Sequence, residues 1–233
     1  MSRTPSSEPN AEALQQALRH WRRQGQSQAD LIEQQPAKFT IAISRQRGAG
    51  GSRVAAELGT LLNWPVYDRN LIETIVEDTG VRAQLVESVD ERRSNWFREC
   101  LEAFIGAPTI SGIKYAHRLA QVLTSLAAHG DCIIVGRGAS FLLPLSSTLR
   151  VRLVAPLKQR IAHIREDQQM SLHDAARHVT QIDSQRNAYV KEFFHKDPCD
   201  AELFDLVLNT ARFSHSQCAE LIVEAMDKIA VGG

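Results

Sequence analysis

From residue 39 onward the chain alternates short apolar runs, rich in β-forming residues, with longer stretches of helical spacing; no other feature constrains its fold as strongly. The apolar runs are FTIAIS, WPVYD, CIIVG, LRVRLVA and FDLVLNT. Each is too short for a stable helix and is bounded by turn residues. Between them lie SRVAAELGTLLN, with an apolar stripe at Val54, Leu58, Leu61 and Leu62, and RNLIETIVED, which Gly80 should close. Residues 82–104 are charge-rich and helical in spacing, GAPTISG is a loop, and IKYAHRLAQVLTSLAAHG is an amphipathic helix ending in glycine. PLKQRIAHIRE has proline in its first turn. SLHDAARHVTQIDSQRNAYVKEFF is one long helix or two short ones, and SHSQCAELIVEAMDKIA opens with Ser214 and Gln217 at capping-box spacing. Strands alternating with helices predict an α/β fold: a five-stranded parallel sheet with helices on both faces. Ligands of such sheets bind beyond the carboxyl ends of the strands. The informative segments are therefore 44–53, 68–70, 136–141, 156–160 and 209–213.

Ahead of this unit, residues 1–37 form a separate extension. Residues 1–10 are polar, with two prolines, and are expected to be disordered. Leu14, Leu18, Trp21, Leu31 and Ile32 then recur at roughly helical spacing until Pro36, and RHWRR falls on the solvated face of that added helix. The helices of the extension would suit a protein partner or a homodimer interface. Lys+Arg and Asp+Glu balance at 27 each, so bulk charge gives no sign of nucleic acid. No apolar run approaches membrane-spanning length and the N-terminus lacks a signal-peptide core, which predicts a cytoplasmic protein with no membrane contact. Cys100, Cys132, Cys199 and Cys218 stand far apart with no CxxC pair, as expected of reduced thiols.

The first apolar run leads into RGAGGSR. Glycines in such a turn allow the positive φ values that point successive backbone N–H groups inward, and the helix behind adds the partial positive charge of its N-terminus. Gly48, Ala49, Gly50, Gly51 and Ser52 therefore form a candidate phosphate cradle, ringed by Arg45, Arg47 and Arg53. The usual pattern, G-x-x-x-x-G-K-[ST], is not met: Arg45 stands at its first glycine and Gly51 at its lysine. Arginine binds phosphate oxygens bidentately, so an arginine can serve where a lysine is missing. A second motif, Gly136-Arg137-Gly138, follows the third strand directly and places Arg137 at the ligand edge of the sheet. Arg160 and Arg165 follow the fourth strand, and Asp183, Arg186, Lys191 and Lys196 lie beyond them. Transfer of a phosphoryl group asks for positioning and positive charge rather than covalent chemistry, and this arginine set suits that.

The ordered blocks SRQRGAGGSRVAAEL, WPVYDRNLIE, CIIVGRGASFLL, LRVRLVAPLKQRI, IDSQRNAYVKEFF and FDLVLNT resemble the cytidylate kinase-like family, a branch of the P-loop nucleoside monophosphate kinases, over about residues 38–230, within a domain expected to span 38–233. The resemblance implies a three-layer P-loop fold, a helical acceptor-binding segment near 80–110 and an arginine lid near 165–200. It implies ATP with Mg²⁺ as donor and CMP or dCMP as acceptor. Carried over by position, residues 48–53 hold the donor phosphates with the Ser52 hydroxyl nearest the metal, and Asp68, with Arg69 beside it, lies near the acceptor. Arg137 matches the arginine of a G-R-D block; Asp183, Ser184 and Arg186 match a D-S-x-R lid block. True cytidylate kinases carry lysine at the position of Gly51 and aspartate at that of Gly138, and the branch resembled here lacks the loop lysine.

The expectation is a phosphotransferase in which Arg137 clamps the acceptor phosphate. Arg186, with one of Arg45, Arg47 or Arg53, neutralises developing charge. The alternative is a non-catalytic nucleotide-binding or regulatory module that holds a nucleotide without using it.

Overall fold

The computed structural model describes residues 8–27, 38–87 and 110–231. All five apolar runs are strands: Thr40–Arg45 (β1), Val66–Tyr67 (β2), Cys132–Val135 (β3), Thr148–Val154 (β4) and Leu206–Asn209 (β5). They pair in parallel in the order β2-β3-β1-β4-β5. β1 is therefore central, and the loops leaving β3 and β4 emerge on either side of the loop leaving β1. Register sharpens this. Ile43 lies opposite Val135 and Val151, and Ser44 opposite Arg152.

Both faces of the sheet are apolar, as a doubly covered parallel sheet requires. Ile41, Ile43, Ile133, Val135 and Val151 face Gly51–Leu62 (α2) and His215–Val231 (α9), meeting Val54, Leu58, Cys218 and Ile222. Ala42, Cys132 and Ile134 point the opposite way, onto Arg69–Glu77 (α3) and Ile110–His129 (α5). Each fully buried aliphatic side chain in these layers contributes about 1.5–3 kcal/mol. The three-layer α/β arrangement is thus the one the strand–helix alternation predicts.

Local details depart from expectation for physical reasons. α3 is closed by Asp78, not Gly80. The Asp78 carboxylate accepts from the backbone N–H of Gly80 (2.9 Å) and Val81 (3.0 Å), so the residue that ends α3 also starts Thr79–Glu87 (α4), with Gly80 inside its first turn. Leu61 is 55% exposed, and the buried stripe of α2 runs through Val54, Ala55 and Leu58. Gly112 and its neighbours belong to the start of α5. Of the charge-rich stretch 82–104, only 82–87 falls within the described residues. Leu172–Phe194 (α8) is one continuous helix, capped by Ser171. Ser214 and Gln217 do form a reciprocal capping box, at 2.9 and 3.1 Å. Ala139–Leu142 (α6) and Leu157–Asp167 (α7) are the remaining α-helices after residue 38 among the described residues, beside short 3-10 turns at Leu145–Ser147 and Ala201–Leu203.

The N-terminal helix Glu8–Ser27 (α1) includes Glu8–Asn10, although the polar, proline-bearing sequence of 1–10 predicts disorder; Leu31, Ile32 and Pro36 lie outside the described residues. Ala17 and Trp21 are buried in the core shared with α3 and α5. The Trp21 indole N–H donates to the Tyr67 hydroxyl at 2.8 Å and its ring stacks near Tyr67 and His129. No helix among the described residues is long and apolar enough to cross a membrane.

Candidate functional site

The glycine turn joins β1 to α2. Gly48 (φ 84°) and Gly50 (φ 71°) occupy the left-handed region, and a Cβ at Gly48 would sit 2.6 Å from the Arg160 carbonyl oxygen. Ala49 donates its N–H to the Gln46 carbonyl. The N–H groups of Gly48, Gly50, Gly51 and Ser52 have no protein acceptor among the described residues, and Gly50 offers no side-chain cap. Unspent donors at a helix N-terminus bind anions through their hydrogens and the helix dipole together.

Arg45 lies across this turn. Its stem packs on Gly51, where a Cβ would come 2.8 Å from Arg45 Cγ, and its guanidinium lies against Gly136. The side chain makes no hydrogen bond or ion pair among the described residues. Burial, then the nearby charges of Arg186 and Arg137, pull its pKa down to about 9, with Asp68 opposing. It remains a cation at neutral pH. A half-buried cation with no ion-paired acid is costly unless a ligand supplies the counter-charge.

The loop after β3 is equally constrained. Gly136, Arg137 and Gly138 are all left-handed, at φ 84°, 56° and 76°. Strain at a non-glycine residue of this kind concentrates at functional sites. The Arg137 guanidinium pairs with the Glu73 carboxylate, which Arg69 Nε also approaches at 3.4 Å. Arg137 Nε is buried with no partner, and burial followed by Arg69 lowers its pKa. Glu73 escaped sequence reasoning. Its only local signal is the four-residue spacing from Arg69, and its main partner is 64 residues away.

The helices after β4 hold the glycine turn from above. Asp183 accepts from the Arg47 backbone N–H (2.7 Å) and from Arg160 Nη1 (2.5 Å), so both of its oxygens are engaged. Arg160 also donates to the carbonyls of Arg47 and Ala155. Arg186 donates to the Arg45 carbonyl at 3.1 Å, and burial, countered by Asp183 and reinforced by Arg47 and Arg69, brings its pKa to about 10. Arg53 points outward to Asp167 (3.0 Å) and His163 (3.2 Å) at the exposed rim. His163 also contacts the Gly48 carbonyl and stacks on His215, whose pKa is lowered by burial and then by Arg53 and His163. Arg165 and Lys191 are exposed on helix surfaces, and Lys196 is exposed just beyond the end of α8.

Two cavities meet here. One, of about 390 Å³, is lined by the glycine turn, Ser52, Arg53 and Asp68. The other, of about 320 Å³, is lined by Arg137, Ser140, Phe141, Arg152 and Tyr189. Arg45, Arg69 and Arg186 line both. Asp68 caps α3 through the Leu71 N–H at 2.9 Å, while Ser52 is exposed at the first turn of α2. No group of three or more His, Cys, Asp or Glu residues able to hold a metal occurs among the described residues. Mg²⁺ keeps several waters and is typically held by phosphates with one or two protein oxygens, so the Ser52 hydroxyl and the Asp68 carboxylate fit it in that manner.

A sequence profile of the cytidylate kinase-like family matches residues 40–212. A cytidylate kinase of Methanopyrus kandleri is 30% identical over 112 residues, covering 44% of this chain and 58% of that protein. A uronate isomerase of Corynebacterium glutamicum is 22% identical over 206 residues, 84% of this chain and 39% of its own. The chain thus spans less than two thirds of the length of each of these two relatives. A crystal structure of an uncharacterized protein from Eubacterium ventriosum superposes with a TM-score of 0.65 at 19% identity, covering 82% of this chain and 99% of that one, and shares the fold.

Proposed function

The chain belongs to the cytidylate kinase-like family, and from that premise we propose that it is an ATP-dependent phosphotransferase whose acceptor is CMP or dCMP. The observation that carries this reading is the pair of cavities sharing a wall of Arg45, Arg69 and Arg186. These three cations, with Gln46 and Ile182, line both cavities, so a group passing from one to the other would meet positive charge. In-line phosphoryl transfer needs that arrangement: donor and acceptor phosphates on opposite sides, with positive charge at the exchange point.

The N–H groups of Gly48, Gly50, Gly51 and Ser52 would hold the donor phosphates. The Ser52 hydroxyl, with those phosphates, would hold Mg²⁺, which when bound would supply positive charge to the phosphoryl oxygens. Arg45 takes the place of the missing lysine: it lies over Gly51 and reaches from the glycine turn to Gly136. Arg137 would bind the acceptor phosphate, with Glu73 fixing its direction, and Arg69 would close the same side. Arg186, anchored on the Arg45 carbonyl, would neutralise the charge that develops during transfer. Asp183 acts by setting the turn through Arg47 and Arg160. The acceptor phosphate is already an anionic nucleophile, so the reaction needs no general base.

ADP release measured with ATP and Mg²⁺, with and without CMP, dCMP, UMP or AMP, tests the reading. CMP- or dCMP-stimulated turnover is expected, falling about 100-fold or more in Arg137→Ala and Arg186→Ala. ATP binding without turnover on any acceptor would refute it and leave a nucleotide-binding module.

A further inference from the structure

The aspartate that true cytidylate kinases carry at the position of Gly138 has no room here. Gly138 is left-handed, and a Cβ would run into the Phe194 ring. Whatever discriminates the acceptor must therefore stand elsewhere in the second cavity. Arg152 on β4 is the candidate. It is 6% exposed, lines that cavity, and forms no ion pair with a carboxylate among the described residues. One N–H donates to Ser44 Oγ at 3.0 Å, and the guanidinium lies 5.3 Å from the centre of the Phe204 ring. The Cys199 thiol is a further hydrogen-bonding neighbour, and the Asp183 and Asp197 carboxylates act on it from beyond ion-pair distance. These contacts fix the plane of the fork and leave most of its donors for a ligand.

Its position suits the far pole of a nucleotide. Ser44 lies opposite Arg152 and directly beyond the Ile43–Val135 pair that leads to Arg137. Two strand spacings, roughly 10 Å, therefore separate the two arginines' strands. The wall near Arg152 is aromatic: Phe141 meets Phe204 edge-on at 5.8 Å, and Tyr189 lines the same cavity. A flat heteroaromatic ring suits such an end better than a second phosphate does.

We infer that Arg152 is the specificity-determining residue for the acceptor base, donating two parallel N–H groups to the adjacent O2 and N3 acceptors of cytosine. The inference rests on the nucleotide-acceptor reading above. Uracil carries a hydrogen on N3 and would oppose one of those donors. Adenine likewise offers no pair of adjacent acceptors on one edge.

Calorimetric titration of the full chain without ATP, using CMP, UMP, GMP and inorganic phosphate as probes, separates base reading from catalysis. CMP should bind more tightly than UMP. Arg152→Lys, which keeps the charge and loses the fork, should weaken CMP about 10- to 100-fold and leave UMP and phosphate nearly unchanged. The more disruptive Arg152→Met should do the same; should it fail to fold, Arg152→Lys decides. Parallel weakening of CMP, UMP and phosphate would make Arg152 an anion site and overturn the inference, as would unchanged CMP binding. GMP, whose O6 and N7 also offer adjacent acceptors, binding more tightly than CMP would overturn the choice of cytosine. Turnover with no CMP-over-UMP preference sinks base reading and leaves the kinase; base-selective binding without turnover does the reverse.

Discussion

Restoring the lysine of the usual phosphate loop should damage this protein. At Gly51 a Cβ would lie 2.8 Å from Arg45 Cγ and 3.1 Å from Arg45 Cβ. Both atoms are at the root of the Arg45 side chain, so a rotation of the guanidinium alone does not relieve the contact. Arg45 is hemmed in on its other side by Gly136. Gly51→Lys should therefore cost about 1–3 kcal/mol, the range for overpacking. For a chain of this size that corresponds to a fall in melting temperature of about 2–12 °C. Turnover should fall as well, because the new side chain displaces the arginine that does its work. The double variant Arg45→Gly/Gly51→Lys removes the clash. A double-mutant cycle in melting temperature should give a favourable coupling of about 0.5–3 kcal/mol between the two positions. Gly51→Lys with native melting temperature and raised turnover would refute the reasoning, since the lysine would then have had an empty place to fill.

Trp21→Ala should cost about 3–5 kcal/mol in denaturant unfolding, since it empties a buried site and leaves the Tyr67 hydroxyl unpaired; a loss under 1 kcal/mol would make α1 an appendage. Glu73→Gln should destabilise by about 1–3 kcal/mol and raise the KM for the acceptor more than that for ATP, because it removes the charge that directs Arg137; equal effects on both substrates would contradict that role. His215 has a folded pKa below its ordinary 6.5, so the unfolded chain binds more protons below that pH. Its contribution to stability is full above about pH 6.5 and is lost as pH falls further; His215→Gln should flatten melting temperature between pH 7.5 and 5.5, and an unchanged slope would count against it.

The fold was legible because its signal is periodic. Five apolar runs of strand length, separated by helical spacing, leave a covered parallel sheet as the consistent solution, and the structure supplies it. The glycine turn was legible because its backbone demands are written in residue type: Gly48 and Gly50 have the positive φ that glycine alone adopts readily. What escaped depends on side chains meeting across the fold. Glu73 is one of many acidic residues until Arg137 is brought to it from 64 positions away. Arg152 is one of two arginines in the fourth apolar run, and nothing local sets it apart; the fold brings Phe204 to its guanidinium and places it in the wall of the second cavity. The family resemblance puts Asp183 in a lid block, and the structure engages its two oxygens with Arg47 and Arg160. Gly80 failed as a helix stop because Asp78, two positions earlier, satisfies the N–H groups that open the next helix.

The account stands most directly on Arg45. Initial-rate ADP release with ATP, Mg²⁺ and CMP should be measured for the native protein and for Arg45→Ala, with cooperative melting confirming that both are folded. The account predicts a fall of about 100-fold or more in kcat/KM for ATP. Native turnover in Arg45→Ala would contradict it, because the lysine-less turn would then be transferring phosphate without the arginine that packs on Gly51.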